Sequence, residues 1–113
     1  MASSVPEVDV TAVPAEIPAG VTLLDVREDD EWQAGHIDGA VHIPLPQVPQ
    51  RLAELDTERR VLVVCKVGGR SAQATQFLCT NGRDAVNLAG GMIAWEAAGR
   101  RMVRDDGGDP FVA

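Results

Sequence analysis

Cys65 ends one kind of sequence and begins another. Residues 61–71, VLVVCKVGGRS, run through leucine and β-branched side chains to the cysteine, then through a lysine, two glycines and an arginine to a serine. A helical pattern, SAQATQFLCTNG, follows. If Arg70 or Ser71 begins that helix, the backbone N–H groups of the loop and first turn have no intrahelical partners. Curled round Cys65 they would point at its sulfur, with Gly68 and Gly69 permitting the curl. Free N–H groups, a helix dipole and the cations Lys66 and Arg70 all favour a thiolate, which is the nucleophilic form of cysteine. The same cradle suits an anionic substrate. Cys65 is thus the candidate nucleophile, and Lys66, Val67, Gly68, Gly69, Arg70 and Ser71 form the candidate substrate-binding loop. Taken singly, each feature has a plainer reading: a buried cysteine closing a strand, and a Gly-Gly turn. Their joint occurrence favours chemistry.

The elements that must position this loop are legible on either side of it. VLVVC, residues 61–65, lacks polar alternation, as a strand covered on both faces does. GVTLLDV, residues 20–26, reads as a second buried strand, and DAVNLAGG contains a third. PEVDVTAVPAEI opens with a short alternating segment, and its prolines limit any helix to about a turn. REDDEWQAG predicts a short acid-led helix that stops at Gly35, its acids placed as the helix dipole favours. HIDGAVHIPLP predicts a turn at Asp38-Gly39 and a brief strand over residues 41–43. In QVPQRLAELDTERR the spacing of Val48, Leu52 and Leu55 predicts an amphipathic helix. SAQATQFLCTNG offers Ala74, Phe77 and Leu78 to the core, and GMIAWEAAG predicts a last helix ending at Gly99. Strands alternating with helices predict an α/β domain with a mainly parallel five-stranded sheet and helices on both faces. Ligands in such sheets bind beyond the carboxyl ends of the strands, where Cys65 stands. We divide the chain into an extension (1–7), the domain (8–100) and a polar, Gly-rich tail (101–113) expected to be loose, with Phe111 the one residue that could dock it.

Bulk properties narrow the function classes. A chain of 113 residues suits one core. Apolar residues make up 45%, too many for a disordered chain. A net charge of -7 makes nucleic acid and anionic membranes poor partners. No apolar run approaches the roughly 20 residues of a membrane span. The opening MASSVPEVDV has neither the charge nor the apolar stretch of a secretory signal. A soluble cytoplasmic protein, monomeric, is therefore expected. Cys65 and Cys79 make no disulfide framework, and with His36 and His42 they fit no zinc pattern, so neither metal nor cofactor is expected. No phosphate-binding glycine motif for nucleotides occurs.

Three stretches, LLDVREDDEWQAGHIDGAVHIP, VLVVCKVGGRSAQAT and NLAGGMIAW, together closely resemble the rhodanese, or sulfurtransferase, homology domain from about Val8 to Gly99. The resemblance implies ping-pong sulfur transfer. Cys65 would attack a sulfane-sulfur donor and hold the sulfur as a persulfide, stabilised by the amides of Lys66 through Ser71. Lys66 and Arg70 would steer an anionic donor such as thiosulfate, and the acceptor would be cyanide, a thiol or a protein. Two rivals remain. A sulfur carrier or regulatory module would share the fold. Cell-cycle-type phosphatases and arsenate reductases would share a cysteine–arginine loop, but theirs is one residue longer than the four residues between Cys65 and Arg70.

Other residues have structural readings. Cys79 belongs to packing or the surface, and His36 to hydrogen bonding within its turn; His42 is unassigned. Arg27 is expected to pair with an acid such as Glu31 to fix a strand–helix turn. Trp32 and Trp95 are expected to pack, and the run Glu28 to Glu31 to be a solvated helical turn.

Overall fold

The VLVV run lacks polar alternation because its strand is covered on both sides. The structure, a computed structural model, describes residues 5–113. Strand β4 (Arg60–Val64) sits centrally in a five-stranded sheet with β1 (Glu7–Val8), β2 (Val21–Asp25), β3 (Val41–His42) and β5 (Ala85–Leu88), in the order β1-β5-β4-β2-β3. Every pairing within the sheet is parallel. Val61 and Val63 face one core cluster with Leu24, Val26, Ile43, Ala74 and Leu78. Leu62 and Val64 face the other, with Leu23, Leu88, Met92 and Trp95. Successive side chains of a strand point to opposite faces, so β4 supplies both cores.

Three α-helices accompany the sheet: α1 (Asp29–Ala34), α2 (Gly69–Thr80) and α3 (Gly91–Ala97). Helix α2 buries Ser71, Ala74, Thr75 and Leu78, one stripe at helical spacing, with Phe77 half-buried beside it. It ends on Asn81-Gly82, where the Arg83 amide bonds the Leu78 carbonyl (2.9 Å) and the Gly82 amide that of Cys79 (3.1 Å), a Schellman closure. Helix α3 covers the opposite face through Met92 and Trp95. Helices thus lie on both faces, as expected of the α/β reading.

Strand order decides where a ligand can enter. Strands β2 and β4 lie side by side, from Val21↔Arg60 to Asp25↔Val64. From β2 the chain passes to β3 on one side, and from β4 to β5 on the other. Connections that leave two neighbouring strands in opposite directions open a crevice at their carboxyl ends. Cys65 follows directly on β4 at that place.

Several expectations about the elements need correction. The helix predicted over residues 47–60 is two 3₁₀ turns, Leu45–Gln47 and Leu52–Glu54. Pro49 lacks an N–H and clashes with the preceding turn, so the turn at Leu45–Gln47 cannot continue through it as a helix. Val48 and Leu55 are still buried, reached by a winding chain. Residue 65 lies just past its strand, and residue 43 just past β3. Helix α2 starts at Gly69, before Arg70. The tail is packed, not loose. Val103 bridges to His36 (2.9 and 2.8 Å), the Phe111 amide bonds the Ala34 carbonyl (3.0 Å), and Met102 and Val112 pack on the second core cluster. The Phe111 ring itself is half exposed, over Arg104.

Candidate active site around Cys65

Cys65 is wholly buried, and its sulfur accepts hydrogen bonds from the Gly68 amide (3.1 Å) and the Ser71 hydroxyl (3.2 Å). Burial pushes the Cys65 thiol up. The Ser71 hydroxyl, with the amides of Ser71, Gly68 and Val67, more than reverses this and leaves the thiol below its ordinary value. The loop can make this turn because Gly68, at φ 116°, takes a backbone conformation that side-chain-bearing residues avoid. Gly69 is not in that region and simply opens α2, so one glycine does the work expected of two.

Amides can face the sulfur only if the loop carbonyls turn away and find donors elsewhere. They do. The Met92 amide bonds the Cys65 carbonyl (2.8 Å) and the Ile93 amide that of Lys66 (3.0 Å), both from the first turn of α3. The Gly68 carbonyl accepts from the buried Asn87 side chain of β5 (3.2 Å) and from the Ala72 amide (3.0 Å). Gly91, at φ 56°, lies so close that a Cβ there would run into the Cys65 carbonyl and come within 2.6 Å of that of Lys66.

Of the two loop cations, Arg70 is not free. Its two terminal nitrogens bond the two oxygens of Glu31 in α1, at 2.6 and 2.9 Å, across the crevice between β2 and β4. The Arg70 hydrogen bonds hold the Glu31 carboxyl down at about 2, against the opposing effect of burial. Glu31 also accepts from the Glu28 amide (3.0 Å), which fixes it at the start of its helix. Lys66 is half-buried and has no ion-pair partner among the described residues.

Arg27 does not pair with Glu31 as expected. It is fully buried and bonds Asp25, two residues back, through Nε (3.0 Å) and Nη2 (2.8 Å). Nη2 also donates to the Gly35 carbonyl (2.8 Å), locking the carboxyl end of β2 to the end of α1. A strand reverses side-chain direction at every residue, so residues 25 and 27 share a side, and the nearer acid wins. Glu31 is left to reach Arg70.

Residues 11–98 match the family described as the Rhodanese-like domain. The chain belongs to the rhodanese-like family. It is 38% identical over 88 residues to a protein of Allochromatium vinosum named sulfurtransferase, spanning 77% of this chain and 82% of the other. To the thiosulfate sulfurtransferase GlpE of Shewanella oneidensis it is 37% identical over 79 residues, 69% of this chain and 78% of that one. Among solved structures, SSP1007 of Staphylococcus saprophyticus superposes with a TM-score of 0.71 at 34% identity, covering 96% of this chain and 98% of its own.

In this rhodanese-like domain the remaining candidates lie apart from the sulfur. Cys79 is half-buried against the first core cluster and its thiol donates to the Ala85 carbonyl (3.4 Å), a packing role. Trp32 is stacked between His36 (centroids 3.6 Å) and His42 (4.7 Å) instead of entering the core. His36 Nδ1 bonds the Trp32 carbonyl (2.9 Å) and His42 Nε2 that of Arg27 (2.7 Å), so both rings serve the turn. Trp95 is buried and donates to the Arg101 carbonyl (3.0 Å). A groove of about 430 Å³, lined by Ile17, Val21, Leu23, Arg59 and Trp95 among others, opens at the amino ends of the strands and touches no residue of the Cys65 loop. Sequence reasoning missed Asn87 and the contact of Gly91, and it gave Glu31 to a solvated helical turn or to Arg27, not to Arg70. Their partners are distant along the chain, 39 residues away for Glu31, and no local pattern carries that pairing.

Proposed function

We propose that this protein is a sulfurtransferase that moves sulfane sulfur from an anionic donor, thiosulfate being the simplest, to a thiophilic acceptor through a persulfide on Cys65. The observation that carries the proposal is the Cys65 sulfur at the floor of its loop, with an amide at 3.1 Å and a hydroxyl at 3.2 Å directed at it. The lowered thiol supplies the thiolate. In the first half-reaction this thiolate attacks the outer sulfur of thiosulfate. A bond forms between the two sulfurs, the donor S–S bond breaks, and its electron pair leaves with sulfite. The extra sulfur keeps the negative charge, which Val67, Gly68 and Ser71 can hold by hydrogen bonds already aimed inward. In the second half-reaction cyanide, a thiolate or a protein cysteine takes that sulfur, and its bond electrons return to Cys65. Lys66 supplies positive charge to the approaching donor, while Arg70 is already paired with Glu31. Two unpaired cysteines fit a reducing compartment such as the cytoplasm. No helix among the described residues is long and apolar enough to cross a membrane.

A phosphatase reading fits less well. A phosphate-binding loop uses its arginine as a fork on the oxyanion, and here Glu31 occupies that fork. A sulfur-carrier role would share the same persulfide and differ only in its acceptor. Intact-mass spectrometry after thiosulfate treatment tests the proposal: a gain of one sulfur, removed by cyanide and absent in Cys65→Ser, is expected. No adduct, with turnover of an aryl phosphate instead, would sink it in favour of the phosphatase.

A further inference from the structure

The ion pair across the crevice bears on which donors the site accepts. A guanidinium grips an oxyanion best with two parallel N–H groups. Both terminal nitrogens of Arg70 are already on Glu31, whose side chain is only 15% exposed and is anchored from behind by the Glu28 amide. The Arg70 side chain, 34% exposed, therefore faces solvent as half of a nearly neutral pair, not as a full cation. Lys66 is left as the uncompensated charge of the loop among the described residues. Thiosulfate brings two negative charges towards a sulfur that is itself anionic. A singly charged donor meets half that repulsion and needs less compensation.

We propose that Glu31 is a specificity-determining residue: by occupying the Arg70 fork it holds the mouth of the Cys65 loop near neutrality and disfavours doubly charged sulfur donors relative to singly charged ones. The proposal rests on the sulfurtransferase reading above. It gives Glu31 no contact with the reacting atoms; Glu31 acts through Arg70.

Methanethiosulfonate makes the clean comparison, being close to thiosulfate in size with a methyl group in place of one charged oxygen. Its terminal sulfur is attacked by the Cys65 thiolate, and the electron pair of its broken S–S bond leaves on methanesulfinate. The quantity to measure is the ratio of loading kcat/KM, thiosulfate over methanethiosulfonate, in four proteins. Glu31→Gln keeps an oxygen for the Glu28 amide and removes the charge, so the ratio should rise about three- to tenfold, chiefly through KM. Arg70→Gln leaves Glu31 bare, and the ratio should fall by a similar factor. The double variant restores neutrality and should return to within about twofold of wild type. A ratio that does not rise in Glu31→Gln would overturn the proposal. So would a double variant that stays with Arg70→Gln, because Arg70 would then grip the donor itself. Should the Glu31→Gln proteins not fold, Arg70→Gln alone decides. Repulsion from a bare carboxylate predicts a ratio that recovers with added salt, whereas a deficit indifferent to salt overturns the idea. Wild type loaded by neither donor would remove the sulfurtransferase reading and this inference with it; wild type loaded by both, with an unmoved ratio in the variants, removes only the role of Glu31.

Discussion

Two loops of this molecule use one backbone device for opposite ends. After β4 the chain turns through Gly68 at φ 116° into α2; after β5 it turns through Gly90 at φ 77° into α3. Each turn leaves the early amides of its helix without intrahelical partners. In the first loop the amides of Val67, Gly68 and Ser71 face a thiol. In the second, those of Met92 and Ile93 are taken up by the carbonyls of Cys65 and Lys66. The second loop thus holds the Cys65 and Lys66 carbonyls turned away from the sulfur. A ring of inward amides requires outward carbonyls, and buried carbonyls require donors. The reactive loop is thus half of a structure whose other half is more than twenty residues later in the chain.

The most damaging change to this arrangement should be one outside the reactive loop. Gly91→Ala places a methyl group against the Cys65 and Lys66 carbonyls at a strained backbone position. It should cost about 2–4 kcal/mol, a fall in Tm on the order of 10–20 °C, and slow sulfur loading in whatever folds. A variant as stable and active as wild type would mean the second loop supports nothing. Next comes Ser71→Ala, which removes the hydroxyl on the Cys65 sulfur. Thiol titration by ultraviolet absorbance should move upward and loading at neutral pH should slow about tenfold, with little change in stability. An unmoved titration would assign the thiolate to the amides alone.

Acid distinguishes the loops more gently. The Glu31 carboxyl is lowered from 4.5 to about 2. A depressed carboxylate contributes stability that is fully present above its unfolded value and lost as pH falls through the folded one. The loss, about 1–2 kcal/mol after allowing for partial exposure, should therefore fall between pH 4.5 and about 2, and Glu31→Gln should flatten it. Hydrogen exchange should show the amides of residues 67–70 losing protection over that range before those of Met92 and Ile93. The smallest effects concern the paired glycines. Gly68→Ala should cost about 1–2 kcal/mol, because its φ is positive. Gly69→Ala, with open space at its Cβ and a helical position, should be neutral or stabilising by up to about 1 kcal/mol in urea unfolding. Equal costs at the two positions would contradict the geometry described.

What could be read in the sequence and what could not divide along chain distance. The buried strand, the helix beyond it, the Asn81-Gly82 stop and the short acid-led helix are local patterns, and each stands close to where its residues predicted it. Local spacing misled at Val48, Leu52 and Leu55, where three buried or half-buried side chains suggested one helix in place of two 3₁₀ turns. The tail misled differently. Its composition is that of a loose segment, but Met102, Val103 and Val112 find apolar and backbone partners on the domain. Composition reports what a segment lacks and says little about what waits for it.

By itself the sequence determined the strand–thiol–glycine–helix succession, because a buried run, a positive-φ turn and a helix start each depend on a few neighbouring residues. It also determined that Cys65 would be the sulfur at a carboxyl strand end. Only the tertiary structure decided that Arg70 would be held by Glu31 and Arg27 by Asp25, and that α3 would turn the loop carbonyls outward. Those outcomes depend on which strands lie side by side. Charges and unsatisfied carbonyls take the partner that packing brings within reach, whatever its place in the chain.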